Sequence, residues 1–156
     1  MNYKKLMNLG VAQATVTMNQ DIGGPFGAVI VKDGQVIAVA SNSVIGDNDP
    51  TAHAEVNAIR KACKKLGTYD LSGCELFATG YPCPMCLSAI IWANIKKVYY
   101  CNDVKAAENI GFRDDFIYDF IKGDNKDVQI LDLEQYKTEE GSDLYKQYTE
   151  MNKVIY

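Results

Sequence analysis

Apolar side chains recur at helical spacing from the start of the chain. Tyr3, Leu6, Met7, Val11, Ala14 and Met18 fall on one face if residues 3–19 form an amphipathic helix. Asp21-Ile22-Gly23-Gly24-Pro25 then breaks the pattern. Two short apolar runs follow, 26–31 and 35–40, with Asp33-Gly34 between them, which predicts a β-hairpin. Residues 42–51 are polar, contain Gly46 and Pro50, and read as a loop. A second helix is expected over 52–66, stopped by Gly67. Residues 75–79 read as a strand. Pro82-Cys83-Pro84 then opens a third helix running to about Ala93. A Val- and Tyr-rich strand covers 97–101. Helical stretches are expected at 104–109 and 114–121, with Gly111-Phe112 between them. A last strand is predicted over 128–133 and a final helix over 142–153, capped by Ser142. A hairpin followed by alternating helices and strands argues for α/β architecture, a three-layer α/β/α sandwich around a five-stranded mixed sheet.

The chain has 156 residues, with 47% apolar and 23% charged side chains, which suits one globular domain with a real core. The formal charge of −4 argues against a nucleic-acid partner, because phosphate binding needs clustered Lys and Arg. The short basic run Lys61, Lys64, Lys65 reads as a solvated helix face. The first residues lead into no apolar targeting stretch, and no segment approaches the length of a membrane span, so a cytoplasmic protein is expected. In that compartment thiols stay reduced. The five cysteines are therefore read as metal ligands or small buried residues, not as disulfides.

The candidate chemistry lies in His53-Ala54-Glu55, followed after 26 residues by Pro82-Cys83-Pro84-Met85-Cys86. Cys83 and Cys86 are three apart at a helix start, so both sulfurs can face one point. His53, the only histidine, opens the preceding helix and can supply a third ligand. Thiolates and imidazole suit zinc, and three protein ligands leave the fourth position open for water, the mark of a catalytic site. The helix starts, with their free N–H groups, favour thiolates. Glu55, in the same first turn, can move protons between the water and a leaving amine. A four-ligand structural site would need Cys63, Cys74 or Cys101, each isolated in or beside a helix or strand and read as small buried residues.

At these residues the chain resembles the cytidine and deoxycytidylate deaminase superfamily, whose zinc enzymes carry H-x-E and then P-C-x-x-C. More narrowly it resembles the bacterial guanine deaminase branch. The likeness runs through Gly23-Gly24-Pro25-Phe26-Gly27-Ala28-Val29-Ile30-Val31 and Asn48-Asp49-Pro50-Thr51-Ala52-His53-Ala54-Glu55-Val56. It continues through 82–87, Ala89-Ile90, Trp92-Ala93, Gly111-Phe112, Asp114 and Phe116-Ile117-Tyr118. The resemblance implies one zinc per subunit on His53, Cys83 and Cys86, with Glu55 and Asp114 catalytic. It implies substrate contacts from Phe26 by stacking, from Asn42 by hydrogen bonding, and from Ala54, Trp92 and Tyr156. The residues alone also allow Asn42 as an Asx-turn, Phe26 and Trp92 as core, Asp114 as a helix N-cap and Tyr156 as a frayed end. The resemblance further implies a homodimer whose C-terminal segments exchange between subunits, acting with water on a small nucleobase.

The expected reaction is hydrolytic deamination of guanine to xanthine and ammonia. One position departs from the branch: Tyr81 stands where Glu commonly precedes Pro-Cys. This leaves open another amino-purine, an aminopteridine, an aminotriazine, cytosine or tRNA adenosine as substrate. A non-catalytic structural zinc module is the rival from another class, and it leaves Glu55 without a purpose.

Overall fold

The computed structural model describes residues 1–156. They divide into two compact units, Met1–Asp115 and Phe116–Tyr156. The first contains helix α1 (Tyr3–Asn19), strands β1 (Gly27–Lys32) and β2 (Gln35–Ser41), and the short helix α2 (Val44–Asp47). It continues with α3 (Ala54–Leu66), β3 (Cys74–Gly80), α4 (Pro84–Trp92), β4 (Lys97–Asn102) and α5 (Val104–Asn109).

Asp33 and Gly34 both take positive φ, 50° and 76°, the backbone of a tight hairpin turn between β1 and β2. Strand β3 joins β1 antiparallel and β4 parallel, giving the sheet order β2-β1-β3-β4. The parallel β3–β4 pair needs a crossover, which α4 supplies. Alternation along the strands sends side chains to opposite faces. Val29, Val31 and Phe77 pack with Leu6 of α1. Ala28, Ile30, Ala38, Ala40, Leu76 and Ala78 pack with Ala54, Ala58 and Ala62 of α3 and Ile90 of α4. Helices thus cover both faces of a mixed sheet, but the sheet has four strands where five were expected.

The missing strand is 128–133, which forms turns and irregular backbone. Asp127 explains this. Its backbone oxygen accepts from the N–H groups of Ile130 and Leu131, and its carboxylate accepts from Gln129 N at 3.1 Å. Those local bonds take the donors that a strand ladder would need.

The apolar stripe of α1 is also rotated from its expected position. Its buried line is Leu6, Gly10, Ala14 and Thr17, while Tyr3, Val11 and Met18 are exposed. The cause is a close approach at two glycines: a Cβ on Gly27 would lie within 2.0 Å of the Gly10 carbonyl oxygen. Small residues let the helix lie directly on β1, and the larger side chains turn outward.

Helix α3 ends where Gly67 takes φ 68°, as its sequence predicted. Two of its basic residues do more than meet solvent. Lys61 Nζ donates to Val39 O at 3.1 Å and Lys65 Nζ to Val36 O at 3.5 Å, covering carbonyls of edge strand β2.

In the second unit, α6 (Asp115–Lys122, beginning on the last residue of the first unit) is followed by α7 (Glu139–Glu150). Helix α7 starts three residues earlier than expected, because Thr138 is the N-cap and its Oγ1 accepts from Gly141 N at 3.1 Å. Ser142 lies inside the helix and donates back to Thr138 O. No helix is long and apolar enough to cross a membrane.

Candidate metal centre and active site

The site forms where two helices begin. His53 is the N-cap of α3 and Cys83 the N-cap of α4, both with extended backbone. Pro84, at the first position of α4, has no N–H to leave unpaired. Cys86 follows one turn on. Each of the three residues offers one ligand atom, and these atoms all lie within 4.8 Å of one another. His53 Nδ1 is 3.5 Å from Cys83 Sγ and 3.5 Å from Cys86 Sγ. Tetrahedral zinc, with its usual bond lengths to sulfur and nitrogen, sets that N···S separation at about 3.6 Å. The donor chemistry and the spacing both fit zinc, and all five cysteines are free of disulfides.

The electrostatics follow from the crowding. The Cys83 thiol is pulled down to about 4, first by its hydrogen bond with Cys86 and further by His53, against the cost of burial. Cys86 is pushed upward by that same bond and by burial, so one thiol of the pair gives up its proton more readily than the other. His53 is raised by its bond to Cys83. Glu55, in the first turn of α3, is 7% exposed, and its Oε2 accepts from Cys86 Sγ at 3.3 Å. Burial pushes its carboxyl above the usual carboxylate range. A carboxyl so tuned, beside a three-ligand centre, is equipped to accept and return a proton.

Ala54 is fully buried at the first position of α3, between His53 and Glu55. Asn42 is 6% exposed, and its Oδ1 accepts from Val44 N at 3.1 Å and Gly24 N at 3.3 Å. The turn reading of Asn42 is thus realised, through its oxygen alone. Gly23 is required there, since a Cβ would lie 2.4 Å from that oxygen. Phe26 accepts from Asn42 N through its carbonyl, and its ring lies over Gly80, two residues before Pro82. Phe112 meets it edge-on at 5.0 Å between centroids. Asp114, half-buried just before α6, is raised by burial and then by the charge of Cys83.

Two expectations need correction. Trp92 does not join the core, being 71% exposed. Six residues beyond Cys86, it has turned about 120° away around the helix axis. Cys101, expected to be buried, lies exposed on edge strand β4, whereas Cys74 is buried and Cys63 partly so. Tyr156 is 80% exposed and belongs to the second unit. There it lines an open groove of about 640 Å³ with Leu144, Tyr145, Tyr148, Thr149, Val154 and Ile155.

Sequence reasoning missed Asn57. Its Nδ2 donates to Ser41 O at 2.9 Å, to Ser43 Oγ at 2.9 Å and to Ala52 O at 3.3 Å.

Residues 1–102 match the family described as the cytidine and deoxycytidylate deaminase zinc-binding region. The chain is 54% identical to a guanine deaminase of Bacillus subtilis over 118 residues, 76% of each chain. An X-ray structure of guanine deaminase from Bacillus subtilis superposes with a TM-score of 0.92 at 45% identity, covering 100% of this chain and 99% of the other. A tRNA-specific adenosine deaminase of Aquifex aeolicus is 51% identical over 76 residues, 49% of this chain and 50% of its own. With the family match over residues 1–102, which hold all four strands and the His53, Cys83 and Cys86 cluster, this protein is a member of the cytidine and deoxycytidylate deaminase zinc-binding family.

Proposed function

We propose that the chain hydrolyses guanine to xanthine and ammonia. One observation carries this reading. The likeness to the guanine deaminase structure extends over the full chain, whereas the match to the adenosine deaminase covers about half. The net charge of −4 also favours a small base over a tRNA.

Zinc held by His53, Cys83 and Cys86 would supply Lewis acidity that makes water nucleophilic near neutral pH. Glu55 takes a proton from the attacking water and delivers it to the ring nitrogen, then takes the second proton from the newly added hydroxyl and delivers that one to the departing amine. Burial raises its carboxyl above the usual carboxylate range, which favours returning the proton. Asp114 assists at the amino group, where the same field raises its carboxyl. Phe26, steadied by Phe112, stacks on the ring. Asn42 contacts the base, with its amide nitrogen outside the turn bonds. Ala54 offers the backbone at the first turn of α3.

The test is ammonia release by the zinc-loaded protein from guanine, adenine, cytosine, cytidine, guanosine, an aminotriazine and a tRNA anticodon stem-loop. Guanine should be the fast substrate. Release from another compound with guanine inert would keep the chemistry and assign the difference to the neighbourhood of Tyr81, which packs edge-on to Tyr100.

The same reading includes a cytoplasmic homodimer of single deaminase domains that exchange their C-terminal segments. Its support is the exposed apolar surface of 116–156, where Phe116, Val128, Leu133, Leu144, Tyr145 and Ile155 all face outward. Five free thiols suit a reducing compartment. Deleting Tyr156 should lower kcat/KM for guanine while leaving the melting temperature within about 1 °C, since a chain end contributes little core. Unchanged kinetics would remove Tyr156 from the site.

A further inference from the structure

We infer that Asn57 is a positioning residue that fixes the base-contacting Asn42 relative to the zinc ligand His53. The inference rests on the reading that Asn42 contacts the base. Asn42 and His53 stand at the two stems of one loop. Ser43 N donates to Ala52 O at 3.0 Å across its throat. The Asn57 amide sits at that throat and reaches both stems. On one side it holds Ser41 O and Ser43 Oγ, the residues flanking Asn42. On the other it holds Ala52 O, the carbonyl next to His53. Its backbone N–H donates to His53 O at 2.9 Å.

The clamp is continued from both ends. Thr17 Oγ1 of α1 donates to Ser41 Oγ at 2.9 Å in a buried position, and Ser43 Oγ donates to Asp47 Oδ2 at 2.6 Å. Asn57 therefore uses a single planar group to set two stems, and its three acceptors are all oxygens. No other helix residue bridges them. Aspartate at this position keeps the shape but loses both donors, and would turn a carboxylate toward three acceptors. His53 is additionally held by the first turn of α3, so the damage should fall on base binding before it falls on the metal.

The experiment is a double-mutant cycle of Asn57→Asp and Asn42→Ala in the zinc-loaded protein. The readouts are steady-state kinetics on guanine, calorimetric binding of 8-azaguanine, zinc content and the visible spectrum of the cobalt-substituted form. Asn57→Asp is expected to raise KM and the 8-azaguanine dissociation constant about tenfold, the scale of one or two lost hydrogen bonds, with kcat within about threefold. Zinc content and cobalt spectrum should match the parent, and Asn42→Ala added on top should give little further rise. Additive effects of the two substitutions would overturn the inference, as would a lowered melting temperature with unchanged KM, or loss of zinc. If Asn42→Ala alone leaves KM unchanged, the reading of Asn42 itself falls, a result distinct from failure of Asn57. Asn57→Ala serves the same cycle if the aspartate variant does not fold.

Discussion

Met1–Asp115 and Phe116–Tyr156 both carry many apolar side chains, yet only the first buries any of them fully. The first unit seals Phe77, Ile30, Leu71, Leu76 and Val29 between a sheet and its helices. The second has helices α6 and α7 with apolar faces and no partner layer within the unit. The difference teaches where folding energy and chemistry reside. A sheet with two covered faces can hold a helix N-terminus still enough to aim a ligand. A pair of helices joined by irregular chain cannot do so by itself, and its apolar residues are suited to work against another surface.

Four experiments would break or sharpen this contrast. The largest effect is expected at the metal. Cys83→Ala, or chelation of the parent, should abolish ammonia release and remove zinc measured by elemental analysis; retained turnover in either case sinks the mechanism. Next, Glu55→Gln should lower kcat about 10²–10⁴-fold with zinc content unchanged, because only proton movement is removed. Third, the two units can be compared directly by denaturant unfolding at concentrations where the chain is monomeric. Phe77→Ala should cost about 3–5 kcal/mol through the cavity it leaves. Leu144→Ala, on the exposed second unit, should cost less than about 0.5 kcal/mol. Similar costs at both positions would mean the second unit is packed as well as the first.

The smallest effect concerns Asp70, whose carboxylate accepts from Ser72 N, Ser72 Oγ and Asn94 Nδ2. Those bonds, led by the Ser72 hydroxyl, hold it below its ordinary value of 3.8. A depressed folded-state value means the stability is present above that pH and lost as pH falls through the lowered one. Asp70→Asn should therefore melt earlier than the parent at pH 7, and the two melting curves should converge in strong acid. A gap that is the same at every pH would show that the charge is irrelevant.

Legibility in the sequence followed the range of the interactions. The hairpin at Asp33-Gly34 and the stop at Gly67 are set by local backbone preference, and both were readable. So were the pairs His53 with Glu55 and Cys83 with Cys86, because each shares one helix start, although the meeting of the two pairs depends on the fold. Residues 128–133 are rich in Val, Ile and Leu as a strand would be, but Asp127 takes the donors of Gln129, Ile130 and Leu131, a competition that composition does not reveal. The rotation of α1 required knowing that Gly10 and Gly27 would face each other across two elements. Trp92 looked like a core residue by type, and only the helix phase turned it to the exposed side. Asn57 was invisible because its three acceptors come from two loop stems that are adjacent only after folding.

His53 and Cys83 are 30 positions apart and touch only when β3 has taken its place beside β1. Cys83 and Cys86, by contrast, are neighbours in any conformation. An unfolded chain thus offers a divalent cation two sulfurs, and the native chain adds an imidazole. The grip on the ion and the correctness of the long-range topology are therefore one thermodynamic quantity. A newly made chain that captures its ion early is drawn toward the arrangement that completes the ligand set, and metal starvation would be felt first as a loss of foldedness.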